Sequence, residues 1–227
     1  MEATVSARAP IDRNGWSPDG RGVAGIKTTP VSVRRMDYAL TIENTPDSVP
    51  SGTGMLLRHP STGETDRIDT DFLSTDTDRF LVISTRTTAR EVEQKLEHYA
   101  VERSKATVLD ALSVERGYSR RSGDDVHYVA SPDDLDRIVE STREFLDSTG
   151  GKRRVSVDSI TEMAYYADEE RTREAVEALL ALLDEHDAVG LFHLAEEVHD
   201  ESVVAGYRGL FDGVIALDPD GSVSGEF

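Results

Sequence analysis

Residues 58–66, Arg58-His59-Pro60-Ser61-Thr62-Gly63-Glu64-Thr65-Asp66, have the outline of a loop that holds phosphate. In a strand–loop–helix site of the pattern GxxxxGK[ST], backbone N–H groups wrap the phosphates. The lysine reaches the outer phosphates and the Ser/Thr hydroxyl holds Mg²⁺. Laid on residues 58–65, Gly63 takes the second glycine and Thr65 the hydroxyl. Arg58 stands at the first glycine, where a side chain crowds the tight backbone approach, and Glu64 stands at the lysine. A carboxylate touching a phosphate costs about 1 kcal/mol per charge pair in water and several times that at the dielectric of a protein surface. The candidate loop Pro60, Ser61, Thr62, Gly63, Glu64 and Thr65 thus keeps its shape-making residues and lacks its cation.

Other groupings are weaker. His193, Glu196, Glu197, His199 and Asp200 crowd into nine residues. They do not form HExxH on a helix, the zinc-protease spacing. They read as an acidic surface loop, although a strand's carboxyl end is where open α/β sheets build sites. Ser159, His193 and Asp158 are the types of a hydrolytic triad, but no GxSxG turn accompanies them. His59 reads as a solvated turn residue. Tyr165 and Tyr166 suit either core packing or a contact surface. Residues 115–125 form a polar loop of mixed charge.

Strands and helices alternate from Met36 onward. Strands are expected over residues 53–58, 79–85, 106–112, 153–159, 188–194 and 213–217. The unbroken apolar run at 79–85 predicts burial on both sheet faces. Thr88 and Glu91 have capping-box spacing, with Val92, Leu96 and Tyr99 on one face of the helix they open. A helix follows Ser131 as cap, with Pro132 first, Asp133 and Asp134 at its positive end, and Gly150-Gly151 as its stop. Further helices are expected over 169–187 and 201–211. Strands separated by helices imply a mostly parallel sheet covered on both faces.

The chain has 227 residues and no cysteine, which excludes disulfides and thiolate zinc sites. Its 44 acids against 25 bases give a net charge of −19, and only four of the bases are lysines. An acid excess spread over every predicted helix, with arginine preferred to lysine, is the pattern of an extreme halophile's protein, archaeal by expectation. Molar salt screens the self-repulsion. Direct nucleic-acid binding, which needs basic surface, is not expected. No apolar run reaches the roughly 18 residues that would span a membrane, and no signal-peptide core is present, so a cytoplasmic location is expected. Residues 1–35 differ from the rest: six bases and three acids, many Gly, Pro and Ser, and the single Trp16. They read as a disordered basic extension of +3, with Met36 as a second candidate start, ahead of a single domain over 36–227 carrying −22.

The run "VPSGTGMLLRHPSTGETD" resembles the opening of KaiC- and RadA-like ATPases of the RecA superfamily. "LVISTRTTAREVEQKLEHYAV" is similar to that family's second strand and helix. "RRVSVDSITEMAYYAD" is similar to its Walker B strand, and "VGLFHLAEEVHDESVVAGYRGLFDGVIAL" to its late strands. The likeness runs over about residues 47 to 217 and points to the KaiC/GvpD-like proteins of halophilic archaea. It implies a three-layer α/β RecA-like P-loop NTPase fold with a mostly parallel central sheet. It also implies a metal-side acid at Asp158, and a water-polarising acid after the second strand, where this chain has Arg86 and Thr87. With the lysine and the acid both missing, the expectation is a pseudo-ATPase with no catalytic residue, no resident metal and no cofactor, ATP with Mg²⁺ included. It would serve as a regulatory or interaction module toward a protein partner or a second copy. An atypical ATP-binding enzyme, with Arg58 or Arg86 as relocated phosphate ligands, and a small-ligand sensor in the vestigial cleft are the alternatives.

Overall fold

The structure, a computed structural model, describes residues 36–118 and 123–227. The extension 1–35 and the centre of the polar loop lie outside the described residues. Short edge elements come first: β1 (Asp37–Ala39) and β2 (Ser48–Pro50) pair as an antiparallel hairpin. The repeating strand–helix units follow: β3 (Gly54–His59), α1 (Asp66–Ser74), β4 (Arg79–Ser84), α2 (Ala89–His98), β5 (Ala106–Asp110) and β6 (Val126–Tyr128). Then come α3 (Leu135–Ser148), β7 (Arg153–Asp158), α4 (Ile160–Tyr166), α5 (Glu169–Glu185), β8 (Val189–Ala195), α6 (Glu201–Arg208), β9 (Gly213–Leu217) and β10 (Val223–Glu226).

Eight strands make the main sheet in the order β10-β9-β3-β8-β7-β4-β5-β6. Every pairing in it is parallel except β10 with β9. The expected mostly parallel sheet with helices on both faces is present. Successive strand residues point to opposite faces, which splits the apolar residues into two cores. Met55, Leu57, Phe80, Val82 and Val108 meet Ile68, Phe72 and Leu73 of α1 and Val92 and Leu96 of α2. Leu56, Leu81, Ile83, Val155, Val157 and Phe192 meet α3, α4, α5 and α6. All seven residues of β8 are buried, as a central strand requires.

The chain leaves β3 through α1 on one face and leaves β8 through α6 on the other, so the strand order reverses between β3 and β8. Crevices at such points, beyond the carboxyl ends of the strands, are where open α/β folds place ligands. On the first face the polar members of the strands gather there: His59 of β3, His193 of β8, and Ser156 and Asp158 of β7. At the opposite, amino end, the fully buried Arg154 lies between the Tyr38 and Phe72 rings, 5.4 and 5.0 Å from their centroids. Its Nη2 donates to the Ala39 carbonyl at 2.6 Å, and burial pushes its guanidinium down to about 10.

One helix start differs from expectation. Helix α3 starts at Leu135 rather than at Pro132. Ser131 instead closes a turn in which its carbonyl accepts the Asp134 N–H at 3.1 Å, so the SPDD run precedes the helix. The capping box on α2 forms as the spacing predicts, with the Thr88 side chain taking the Glu91 N–H and Glu91 taking the Thr88 N–H.

Candidate functional site

The phosphate-like loop does connect a buried strand to a helix, as its pattern requires. Arg58 and His59 end β3, residues 60–65 form the loop, and α1 starts at Asp66. The loop closes on itself: the Gly63 N–H donates to the Pro60 carbonyl at 2.7 Å. A side chain at Gly63 would approach that carbonyl oxygen to 3.0 Å, so the glycine serves a tight turn.

An acid holds the loop amide where an anion would sit. The Ser61 N–H and Ser61 hydroxyl both donate to Glu197 Oε1, at 2.6 and 2.8 Å. Those two donors hold the Glu197 carboxyl below the usual range. Glu197 comes from the turn after β8, 136 residues away in sequence, so local pattern gives no warning of the contact.

The other groups of the motif are also engaged. Thr65 turns its hydroxyl inward to Asp69 Oδ2 at 3.0 Å, one helical turn along α1. Glu64 is exposed and Thr62 faces solvent. Asp158, at the end of β7, pairs with Arg86 Nε at 3.3 Å. Arg58 pairs with Glu196 at 2.6 Å. Lys95 of α2 donates to Asp66 Oδ1 at 2.9 Å, and the Tyr99 hydroxyl donates to Asp66 Oδ2 at 3.1 Å. Arg58, Arg86 and Lys95, three long cations around the cleft, therefore each face a carboxylate of the same molecule. Asp66 and Asp69 lie in the first turn of α1, where they offset the positive end of its dipole that would otherwise draw an anion.

Beneath α1 lies a polar network that the sequence reading misplaced. His59 is not a solvated turn residue: it is the last residue of β3 and 1% exposed. His193 does not belong to a surface loop: it lies within β8, fully buried, with Nε2 2.8 Å from Asp69 Oδ1. The two imidazoles meet edge to face at 5.5 Å. Strand alternation places both on the α1 side. Burial works against a charge on His193, but the Asp69 carboxylate outweighs it and raises the imidazole above its ordinary value. Burial likewise opposes ionisation of Asp69, and His193 outweighs it, holding that carboxyl low. Burial, with His193 beside it, pushes His59 down.

The hydrolytic set Ser159, His193 and Asp158 is not assembled. The Ser159 hydroxyl bonds Glu162 at the start of α4, and His193 faces Asp69. No group of three or more metal-ligating side chains occurs among the described residues. His199 instead bridges Glu169 at 2.8 Å and Thr161 at 3.0 Å, pinning the turn after β8 against α4 and α5. Tyr165 is 82% exposed, whereas Tyr166 accepts a hydrogen bond from Arg116 at 2.9 Å.

Residues 36–227 match a family described as one of unknown function. The chain belongs to DUF7090. No curated protein matches it. Among solved structures, a KaiC-like protein from the hyperthermophilic archaeon Pyrococcus horikoshii OT3 is similar with a TM-score of 0.56 and 17% identity, over 85% of each chain. An uncharacterized Pyrococcus horikoshii protein, solved in complex with an unknown peptide, has a TM-score of 0.57 and 12% identity. That match spans 78% of this chain and 83% of the other. A prototypical ATPase from the type III secretion system of pathogenic bacteria has a TM-score of 0.56 and 12% identity, over 97% of this chain and 66% of the other. At these identities the likeness concerns the fold, and the fold of this DUF7090 chain is the expected RecA-like P-loop architecture. Residues 60–65 link β3 to α1 in this fold, and Asp158 ends β7. No helix among the described residues is long and apolar enough to cross a membrane.

Proposed function

We propose that residues 36–227 form a pseudo-ATPase: a RecA/KaiC-like domain that hydrolyses no nucleotide and acts as a regulatory or interaction module for a protein partner or a second copy of itself. The observation that carries this reading is Glu197 seated on the Ser61 N–H and hydroxyl. A carboxylate of the chain already satisfies the donors that a phosphate would need. The pairing of Arg58, Arg86 and Lys95 with acids supports the same reading, since a triphosphate would have to break those contacts and then meet Glu64, Asp66 and Glu197.

Interaction rather than chemistry is supported by the P. horikoshii protein of this fold that was solved with a bound peptide. The net charge of −19 supports a halophile's cytoplasm as the setting and a partner that tolerates acidic surface. The test is phosphate release from Mg-ATP by the native chain and by Asp158→Asn. A slow background identical in both is expected. A native rate that the substitution abolishes would show a working ATPase and overturn the proposal.

A further inference from the structure

His59 is tied into the turn that closes the phosphate-like loop. The Pro60 carbonyl accepts the Gly63 N–H at 2.7 Å and lies 2.8 Å from His59 Nδ1. A carbonyl only accepts, so Nδ1 carries the proton and, in the neutral ring, Nε2 carries the lone pair. That Nε2 is buried and has no hydrogen-bond partner among the described residues. Beside it lies the fully buried His193, the two rings edge to face at 5.5 Å. His193 Nδ1 also lacks a partner among the described residues, while its Nε2 lies on the Asp69 carboxylate. Buried polar atoms are satisfied in the great majority of folded proteins, so two bare ring nitrogens side by side call for a reason.

A neutral His59 suits this place and a charged one does not. A second proton would give Nε2 an N–H without an acceptor and set a cation beside the His193 ring. The charged groups facing His59 are His193 of β8, Arg86 after β4, Asp158 of β7 and Glu197 after β8. Asp158 is paired with Arg86. Asp69 of α1 is taken up by His193 and Thr65, with Lys95 of α2 also acting on it. Glu197 differs: the Ser61 N–H and hydroxyl hold it, and it pairs with no cation among the described residues. It is the carboxylate most readily drawn to a new charge. We propose that the loop is a pH-sensitive latch: neutral His59 keeps residues 60–65 closed, and its protonation draws Glu197 off Ser61 and opens them. Such a latch presupposes the closed loop of the pseudo-ATPase reading and adds the condition that opens it. Burial and His193 lower His59 in the closed loop, whereas a solvated imidazole takes its proton near 6.5. The open loop therefore binds more protons, so closure is complete above pH 6.5 and is lost as pH falls toward the lowered value. His193, raised by Asp69, stays charged over this window, so the step belongs to His59.

The test is NMR of the full chain in concentrated KCl between pH 4.5 and 8, without nucleotide, read at the Ser61 and Gly63 amides and the His59 ring nitrogens. Glu197, held low by its Ser61 donors, stays ionised over that range. At pH 7.5 the His59 ring should carry its proton on Nδ1. As pH falls, the three signals should move together with one midpoint below 6.5, the Ser61 amide proton shifting upfield as it loses its carboxylate. His59→Asn should remove the step at both amides. Glu197→Gln, at an exposed position, should leave the ring titrating at a lower midpoint while the Ser61 step is lost. Amides that do not move with pH, a midpoint at or above 6.5, or a Ser61 step unchanged in Glu197→Gln would each overturn the latch. Mg-ATP added at pH 7.5, where the latch is shut, reads the other question separately: shifts at Ser61 there would reveal a nucleotide site whatever the pH titration shows.

Discussion

The residue that decides most is His193. Its charge is held by one carboxylate, Asp69, in a place water does not reach. Since Asp69 raises it, protonated His193 stabilises the fold fully below its unfolded value of 6.5, and that contribution is lost as pH rises through the higher folded value. His59, pushed down by burial and by His193, acts in the opposite sense and favours unfolding as pH falls below 6.5. Asp69 matters only in acid, where its lowered value means that stability is lost as pH drops through it. Comparison of native chain with His193→Asn by denaturant unfolding separates these effects. The difference in unfolding free energy should be largest below pH 6.5 and shrink as pH rises through the raised value of His193. A difference that is flat with pH, or that grows toward alkali, would show that His193 is buried neutral. The types and spacing of residues 58–66 made the loop legible from sequence. The burial of His59 and His193 was not: His59 lies one residue past the strand expected over 53–58, and His193, inside the strand expected over 188–194, reads together with the acids that follow it. Burial was decided by α1 covering them, a contact 124 residues apart for Asp69 and His193.

At the scale of elements, Asp110 shows how β5 sets the position of its neighbours. Fully buried at the end of that strand, it accepts from the Ala89 N–H of α2 at 2.6 Å. It also accepts from the Leu112 and Ser113 N–H groups at 3.0 and 2.7 Å, and from the Ser113 hydroxyl at 2.6 Å. One carboxylate thereby joins the first turn of α2 to the loop beyond β5. Asp110→Ala strands several buried donors at once, each costing about 1–3 kcal/mol. A loss of about 3 kcal/mol or more in unfolding free energy is expected, with faster amide exchange in the first turn of α2. A loss below 1 kcal/mol would show that water replaces the carboxylate. The long elements were readable because their apolar residues run on or repeat: β4 is buried from Phe80 to Ser84 and β7 from Arg154 to Val157, and α5 presents Val176, Leu179 and Leu183 on one side. The short ones were not. β1, β2 and β6 have three residues each and β10 has four, too few for a period to show, and their pairing is fixed by the elements beside them. α4 escaped notice because its seven residues give only Ile160 and Met163 to the core.

For the whole molecule, charge and fold pull in opposite directions. A net charge of −19 on 227 residues repels itself in dilute buffer, and screening lengths fall from about 10 Å at 0.1 M salt to about 3 Å at 1 M. Thermal unfolding should therefore shift upward steadily between 0.1 and 2 M KCl. A midpoint that falls or stays constant would contradict the halophile reading of the composition. The order of strands and helices identified the architecture in advance, since alternation and connection length restrict an α/β chain to few topologies. The closure of the cleft was hidden, because it depends on pairs such as Ser61 with Glu197 that meet only after the sheet forms. Calorimetric titration of Mg-ATP onto the native chain in concentrated KCl tests that closure. No saturable heat is expected at millimolar nucleotide. A saturable one-to-one isotherm would mean that the triphosphate displaces Glu197 and frees Arg58 or Arg86, and that the site is a working one.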